Sequence, residues 1–115
     1  MSESILTTVK QTLGSVSSYD EYDPDIITHI NSVFSTLWQI GVGPDNGFAI
    51  TGNTETWDDF MTGDPRLSLV KSFVGLKVRK MFDPPQSSSI KAALDETLAE
   101  LEWRILVASN PGGVK

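Results

Sequence analysis

The sequence predicts an all-α fold, a small bundle of about four to five helices, with room for a short β-hairpin in the 41–54 loop. Three observations carry that expectation. Apolar residues return every three or four positions through most of the chain. Helix starts are marked by Asp23-Pro24, by Gly63-Asp64-Pro65 and by the serine run at 87–89. Pro84-Pro85 stops one long C-terminal helix from forming and leaves two. A single helical domain is expected over residues 1–109, followed by a flexible tail over 110–115.

In chain order, Ile5, Leu6, Val9 and Leu13 predict a short helix over about residues 3–13, closed by Gly14. Residues 15–22 are polar and acidic and read as a loop. Asp23 is expected to cap the second helix, with Pro24 in its first turn and Asp25 favoured by the helix dipole. Its apolar face runs Ile26, Ile27, Ile30, Val33, Phe34, Leu37 and Trp38, and Gly41 ends it. Between Gly41 and Gly52 lie further turn signals, with Phe48-Ala49-Ile50-Thr51 as a short strand or half of a small hairpin. Thr54 is expected to cap a short helix carrying Trp57, Phe60 and Met61.

The helix predicted over about 65–82 is apolar on more than one side: Leu67, Leu69, Val70, Phe73, Val74, Leu76, Val78, Met81 and Phe82. Such breadth suits a central helix touched from two sides. Gly75, which costs about 1 kcal/mol against alanine inside a helix, then marks a close crossing. The last helix is predicted from Ser87–Ser89 to Ser109. Ile90, Leu94, Leu98, Leu101 and Ile105 form its stripe, and Lys91–Asp95 and Glu100–Arg104 form i,i+4 pairs.

The chain has 115 residues, room for one core. It has no cysteine and one histidine, which excludes disulfides, thiolate zinc sites and cysteine nucleophiles. No secretion signal is visible, and no stretch approaches the ~18 apolar residues of a membrane span. Net charge is −6, but residues 1–64 sum to −9 and residues 65–115 to +3. This asymmetry suits attraction within one molecule or between neighbours packed head to side; the alternative is an ordinary solvated surface. The overall acidity argues against a sequence-reading DNA binder.

Few motifs suggest chemistry. Asp20, Glu21, Asp23 and Asp25 lack the spacing of a calcium loop. Asp45-Asn46-Gly47 reads as a turn. Asp58 and Asp59 point about 100° apart on a helix and are better explained as first-turn acids. His29, beside the apolar face, has no nucleophile motif to serve. The glycines match no phosphate-cradling pattern. Lys71, Lys77, Arg79 and Lys80 lie among aliphatic neighbours, so pairing with the acidic half explains them better than nucleic acid does. Trp103 lies off the stripe of the last helix. It is either a second core contact or an anchor for a neighbouring subunit, since tryptophan and arginine are enriched at interface hot spots. Trp57, Phe60, Trp103 and Arg104 are the candidate interface residues; no catalytic, cofactor or metal residue is expected.

The run Val74-Gly-Leu-Lys-Val-Arg-Lys-Met-Phe82, Asp83-Pro84-Pro85, the serine cap and Leu101-Glu102-Trp103-Arg104 together resemble the head–tail connector (adaptor) proteins of tailed bacteriophages. The resemblance covers about residues 65–106; the first 40 residues fit that family's plan of two N-terminal helices less specifically. It implies a helical bundle without enzyme activity or cofactor. It also implies a homo-oligomeric ring on the portal protein, matching its symmetry, in the virion neck between head and tail. Double-stranded DNA would pass through that ring without sequence preference, downstream neck and tail-completion proteins would dock on it, and assembly would occur in the host cytoplasm. Two rival expectations remain: a small acidic helical binding module, regulatory or antitoxin-like, for a basic protein partner, and an enzyme using Asp58, Asp59 and His29.

Overall fold

The computed structural model describes residues 3–14 and 18–109. Five helices follow in order: α1 (Ile5–Leu13), α2 (Asp23–Gln39), α3 (Trp57–Phe60), α4 (Leu67–Phe82) and α5 (Ser88–Ser109). All five contribute to one apolar core. The expected tail over 110–115, and part of the expected 15–22 loop, lie outside the described residues.

α1 starts where Ser4 Oγ accepts a hydrogen bond from the Thr7 N–H, and it stops at Gly14, whose φ is +73°. Ile5, Leu6, Val9 and Leu13 are all buried. Lys10 sits beside them, buried along its stem, and its ammonium meets Asp23 at 2.9 Å and Asp20 at 3.2 Å. The hydrogen bond to Asp23 holds the Lys10 pKa above its ordinary value, against the opposing pull of burial.

That ion pair changes the expected start of α2. Tyr22, not Asp23, is at the cap position, and no side chain caps the helix. Asp23 is the first helical residue and its carboxylate is turned to Lys10. A buried ammonium without a partner costs more than a missing cap, so the charge takes the side chain. At the other end, Gly41 N–H bonds to Trp38 O at 3.0 Å and Val42 N–H to Leu37 O at 2.9 Å. This paired closure needs a left-handed residue after the helix, and Gly41 supplies it at φ +88°.

No strand forms among the described residues, and the hairpin expected in the 41–54 loop is absent. The extended segment around Ile50 finds its partner in a side chain instead. Asn31 Nδ2 donates to Ile50 O at 3.0 Å, and Ile50 N–H donates to Asn31 Oδ1 at 2.8 Å. One amide on α2 thus does the work of a neighbouring strand. A single antiparallel bridge joins Ser4 to Thr56, with Ile5 N–H donating to Glu55 O and Trp57 N–H to Glu3 O. It ties the start of α1 to the start of α3. Thr56, two residues beyond the expected Thr54, caps α3 in a reciprocal box with Asp59.

Phe34, Phe48, Phe60 and Trp57 pack as one aromatic cluster under the loop. Phe34 stacks on Phe60 with ring centroids 4.5 Å apart, and Phe48 meets Phe34 edge-on at 5.5 Å. α4 then crosses the molecule and packs against α1, α2 and α5. Its start departs from the expected cap-plus-proline form. Asp64 accepts from the Arg66 N–H at 2.9 Å in a turn that holds Pro65, and the helix begins at Leu67. α5 is capped by Ser87, whose Oγ accepts from the Ile90 N–H. Of its expected stripe only Leu98 and Ile105 are fully buried; Leu94 and Leu101 are half-buried and Ile90 is exposed. The expected Lys91–Asp95 pair gives way to Lys80–Asp95 at 2.8 Å, which joins α4 to α5, whereas Glu100–Arg104 forms at 3.8 Å on the surface.

The expected close crossing at Gly75 is present: a Cβ there would lie 3.1 Å from Thr12 Oγ1 and 3.3 Å from Thr12 Cγ2. α1 and α4 approach through this point. Gly75→Leu is therefore expected to lower stability by about 1–3 kcal/mol by forcing the helices apart. Urea unfolding would check this; unchanged stability would show that the crossing tolerates a side chain.

Candidate subunit interface

The four residues singled out from the sequence separate into two pairs. Trp57 and Phe60 are buried in the aromatic cluster. α3 has only four residues, and its bridge to Ser4 and its capping box turn both rings inward. Lys71 Nζ lies 5.9 Å from the Trp57 ring centroid and 3.0 Å from Glu3, closing the outer side. Trp57 Nε1 makes no hydrogen bond among the described residues. Trp57 and Phe60 are thus core residues in this chain, not surface anchors.

Trp103 and Arg104 are outside. Trp103 is 62% exposed, and the Arg104 side chain is more than half exposed. At 3.6 residues per turn Trp103 is turned about 140° from Leu98, away from the seam that packs on α4. Ala99, one turn earlier, is exposed, and Val107, one turn later, is half-buried, so an apolar strip runs along the outer side of α5. Exposed Glu96 and Glu100 flank that strip, and the side facing α4 is the buried one.

A second exposed tryptophan was not expected. The spacing puts Trp38 on the apolar face of α2, yet it is 50% exposed. It lies about 100° from the midline of buried Ile26, Ile30, Val33, Phe34 and Leu37. Its indole Nε1 donates to Asp45 O at 2.9 Å. Trp38, Gln39, Gly41, Gly43, Pro44 and Asp45 enclose an open pocket of about 420 Å³. Its floor is fixed by Gly43, where a Cβ would fall 2.6 Å from Phe60 Cε1. The glycines of the 41–47 turn were legible in sequence; the pocket they leave was not.

Arg66 staples this end of the molecule. Its guanidinium holds Asp64 at 2.6 Å, reaches Gly41 O at 3.5 Å and donates to Ser109 Oγ at 2.8 Å. The turn before α4, the turn after α2 and the end of α5 are thereby joined. The Arg66 hydrogen bonds hold the Asp64 carboxyl below the usual carboxylate range, with burial opposing them. Glu55 closes the neighbouring turn. Burial pushes its carboxyl up, but hydrogen bonds from Thr51 N–H, Thr51 Oγ1 and Gly52 N–H outweigh this and leave it below its ordinary value.

The residues weighed for chemistry do not converge. Asp20 and Asp23 serve Lys10, Asp59 serves the cap of α3, and His29 lies edge-on to Phe82 at 6.3 Å. Lys71 pairs with Glu3 of the acidic half, but Lys80 pairs within its own half.

A family model described as phage connector protein matches residues 5–112. The chain belongs to this family. No curated protein and no solved structure matches it. A phage connector is a structural component of the virion that assembles with other head and tail proteins, and this is the role of the chain. The match extends well beyond residues 65–106, where the resemblance was strongest, and takes in α1 and α2. It favours the connector expectation over the acidic binding module. No helix among the described residues is long and apolar enough to cross a membrane.

Two outcomes are expected of this connector. Trp57→Ala should cost about 3–5 kcal/mol in urea unfolding, whereas Trp103→Ala should stay within about 0.5 kcal/mol of the parent. A destabilised Trp103→Ala chain would make that residue structural. The second concerns Asp64. Its pKa is lower folded than unfolded, so its contribution is complete above about pH 4 and is lost as pH falls through the lowered value. Melting temperatures of the parent and Asp64→Asn should differ at neutral pH and converge in acid; a constant gap would exclude the Arg66–Asp64 pair as its source.

Proposed function

We propose that the chain is one subunit of a homo-oligomeric ring beneath the portal, in the neck of the virion. DNA passes through the ring, and neck or tail-completion proteins attach to its far side. The observation that carries this reading is the outer side of α5: a tryptophan 62% exposed on a helix whose opposite side already seals the core. Covering that indole with a neighbour is worth on the order of 2–3 kcal/mol of gross apolar transfer. Folding alone does not use it.

Two further properties support the reading. The chain is acidic in its first half and mildly basic in its second, so copies packed head to tail bring opposite signs together. The net charge of −6 disfavours tight association with phosphates, which suits a conduit through which DNA slides. Subunits would fold in the host cytoplasm and assemble there on filled heads.

The test is electron microscopy of lysates from a phage lacking this gene. Unjoined heads and separate tails are expected, and emptied heads would add a role in retaining DNA. Normal joined particles would overturn the reading.

A further inference from the structure

We propose that Trp103 of one copy seats in the open pocket between Trp38 and Pro44 of the next copy, with Arg104 paired to that copy's Asp45. The inference rests on the ring reading and supplies what it lacks, a receptor for the exposed face of α5.

The protruding part is Trp103, with exposed Ala99 beside it on the outer side of α5. The receiving part is the 420 Å³ pocket at the end of α2. Its volume falls in the range of pockets that hold a compact ligand. Its walls offer one aromatic face, one proline ring and glycine backbone, surfaces on which an indole packs offset or edge-on. The pocket is formed before anything binds. Trp38 is held by its hydrogen bond to Asp45 O, Gly41 is fixed by the closure of α2, and Gly43 rests on Phe60. Little ordering is left for association to oppose.

Charge selects the same occupant. Asp45 is exposed at the rim, on the acidic half of the chain. Arg104 follows Trp103 directly and holds Glu100 only at 3.8 Å, on the surface. Such a pair is weak, and its arginine is available for a carboxylate on a neighbour. The knob and the hole are different surfaces of the same chain. The contact is therefore head to tail, the kind that repeats from copy to copy and closes into a ring when its rotation permits.

The experiment is sedimentation velocity on the full chain up to millimolar concentration. The variants are Trp103→Ala, Asp45→Arg, and Arg104→Asp combined with Asp45→Arg. Melting temperature and circular dichroism accompany each. Either single variant should weaken self-association by about tenfold or more with the fold intact. The double charge exchange should restore it. A mixture of Trp103→Ala and Asp45→Arg chains should give a dimer of one of each and nothing larger, since only one knob and one hole remain to meet.

Parent-like assembly of Trp103→Ala, or no recovery in the charge exchange, would overturn the contact. So would a parent chain that stays monomeric and whose Trp38 remains open to solvent after it assembles on portal protein. Electron microscopy of isolated necks judges the ring separately: a ring of this chain with Trp38 and Trp103 apart leaves the ring reading standing and removes this contact.

Discussion

α4 has to touch α1, α2 and α5 at once, and the rest of the molecule is arranged around that demand. Val70, Phe73, Val74 and Val78 are all buried, so apolar surface wraps much of the helix. Three neighbours have to be packed around one helix without voids, since voids are costly. Gly75 resolves the crowding by letting α1 approach closely enough for Thr12 to fill the space of a side chain. The loss of helix propensity is local; the gain is a core that the two N-terminal helices share with α4. Pro84 and Pro85 then turn the chain back so that α5 closes the remaining side.

Because α4 is the common partner, α5 is attached along a single seam. Leu98 and Ile105 are its fully buried residues, helped by Leu94, Leu101 and the Lys80–Asp95 pair. A helix held on one side leaves its other side open without weakening the core. That division explains how a virion protein folds as a subunit and still presents apolar surface. Lys10 shows the opposite use of a side chain. Its charge is met within the same chain by half-buried Asp23 and exposed Asp20, so it is not offered to a neighbour.

Much of this was legible in the sequence, for identifiable reasons. The periods of α1, α2, α4 and α5, the glycine after Trp38-Gln39-Ile40 and the double proline act over a turn or two, the range at which sequence spacing dictates backbone geometry. Gly75 was legible because a glycine inside a broadly apolar helix costs stability unless a neighbour comes close enough to need the space. The failures came from contacts between residues far apart in the chain. The Asn31 amide that replaces a strand for Ile50 is 19 positions away, and no local pattern announces it. Asp23 left the cap because Lys10, thirteen positions earlier, needed it more. The Thr56 cap is local and legible, since Thr56-x-x-Asp59 satisfies the reciprocal cap and Thr54 does not.

The three tryptophans show what period alone decides. Trp103 is offset from a clean stripe, and the offset placed it outside. Trp38 follows Phe34 by one turn and Leu37 by one residue, at the margin of a broad face, where spacing does not choose between core and solvent. The choice falls to the Asp45 carbonyl, which takes its N–H and holds the ring outward. Trp57 lies on a helix of four residues, too short to have a period at all. Its burial follows from the bridge to Ser4 and the neighbouring phenylalanines. Large amphipathic rings are therefore sorted by where a polar atom or a close-packed neighbour meets them. In a connector this sorting separates two uses: the ring kept in the core secures the fold, and those kept outside leave apolar surface that the fold does not cover.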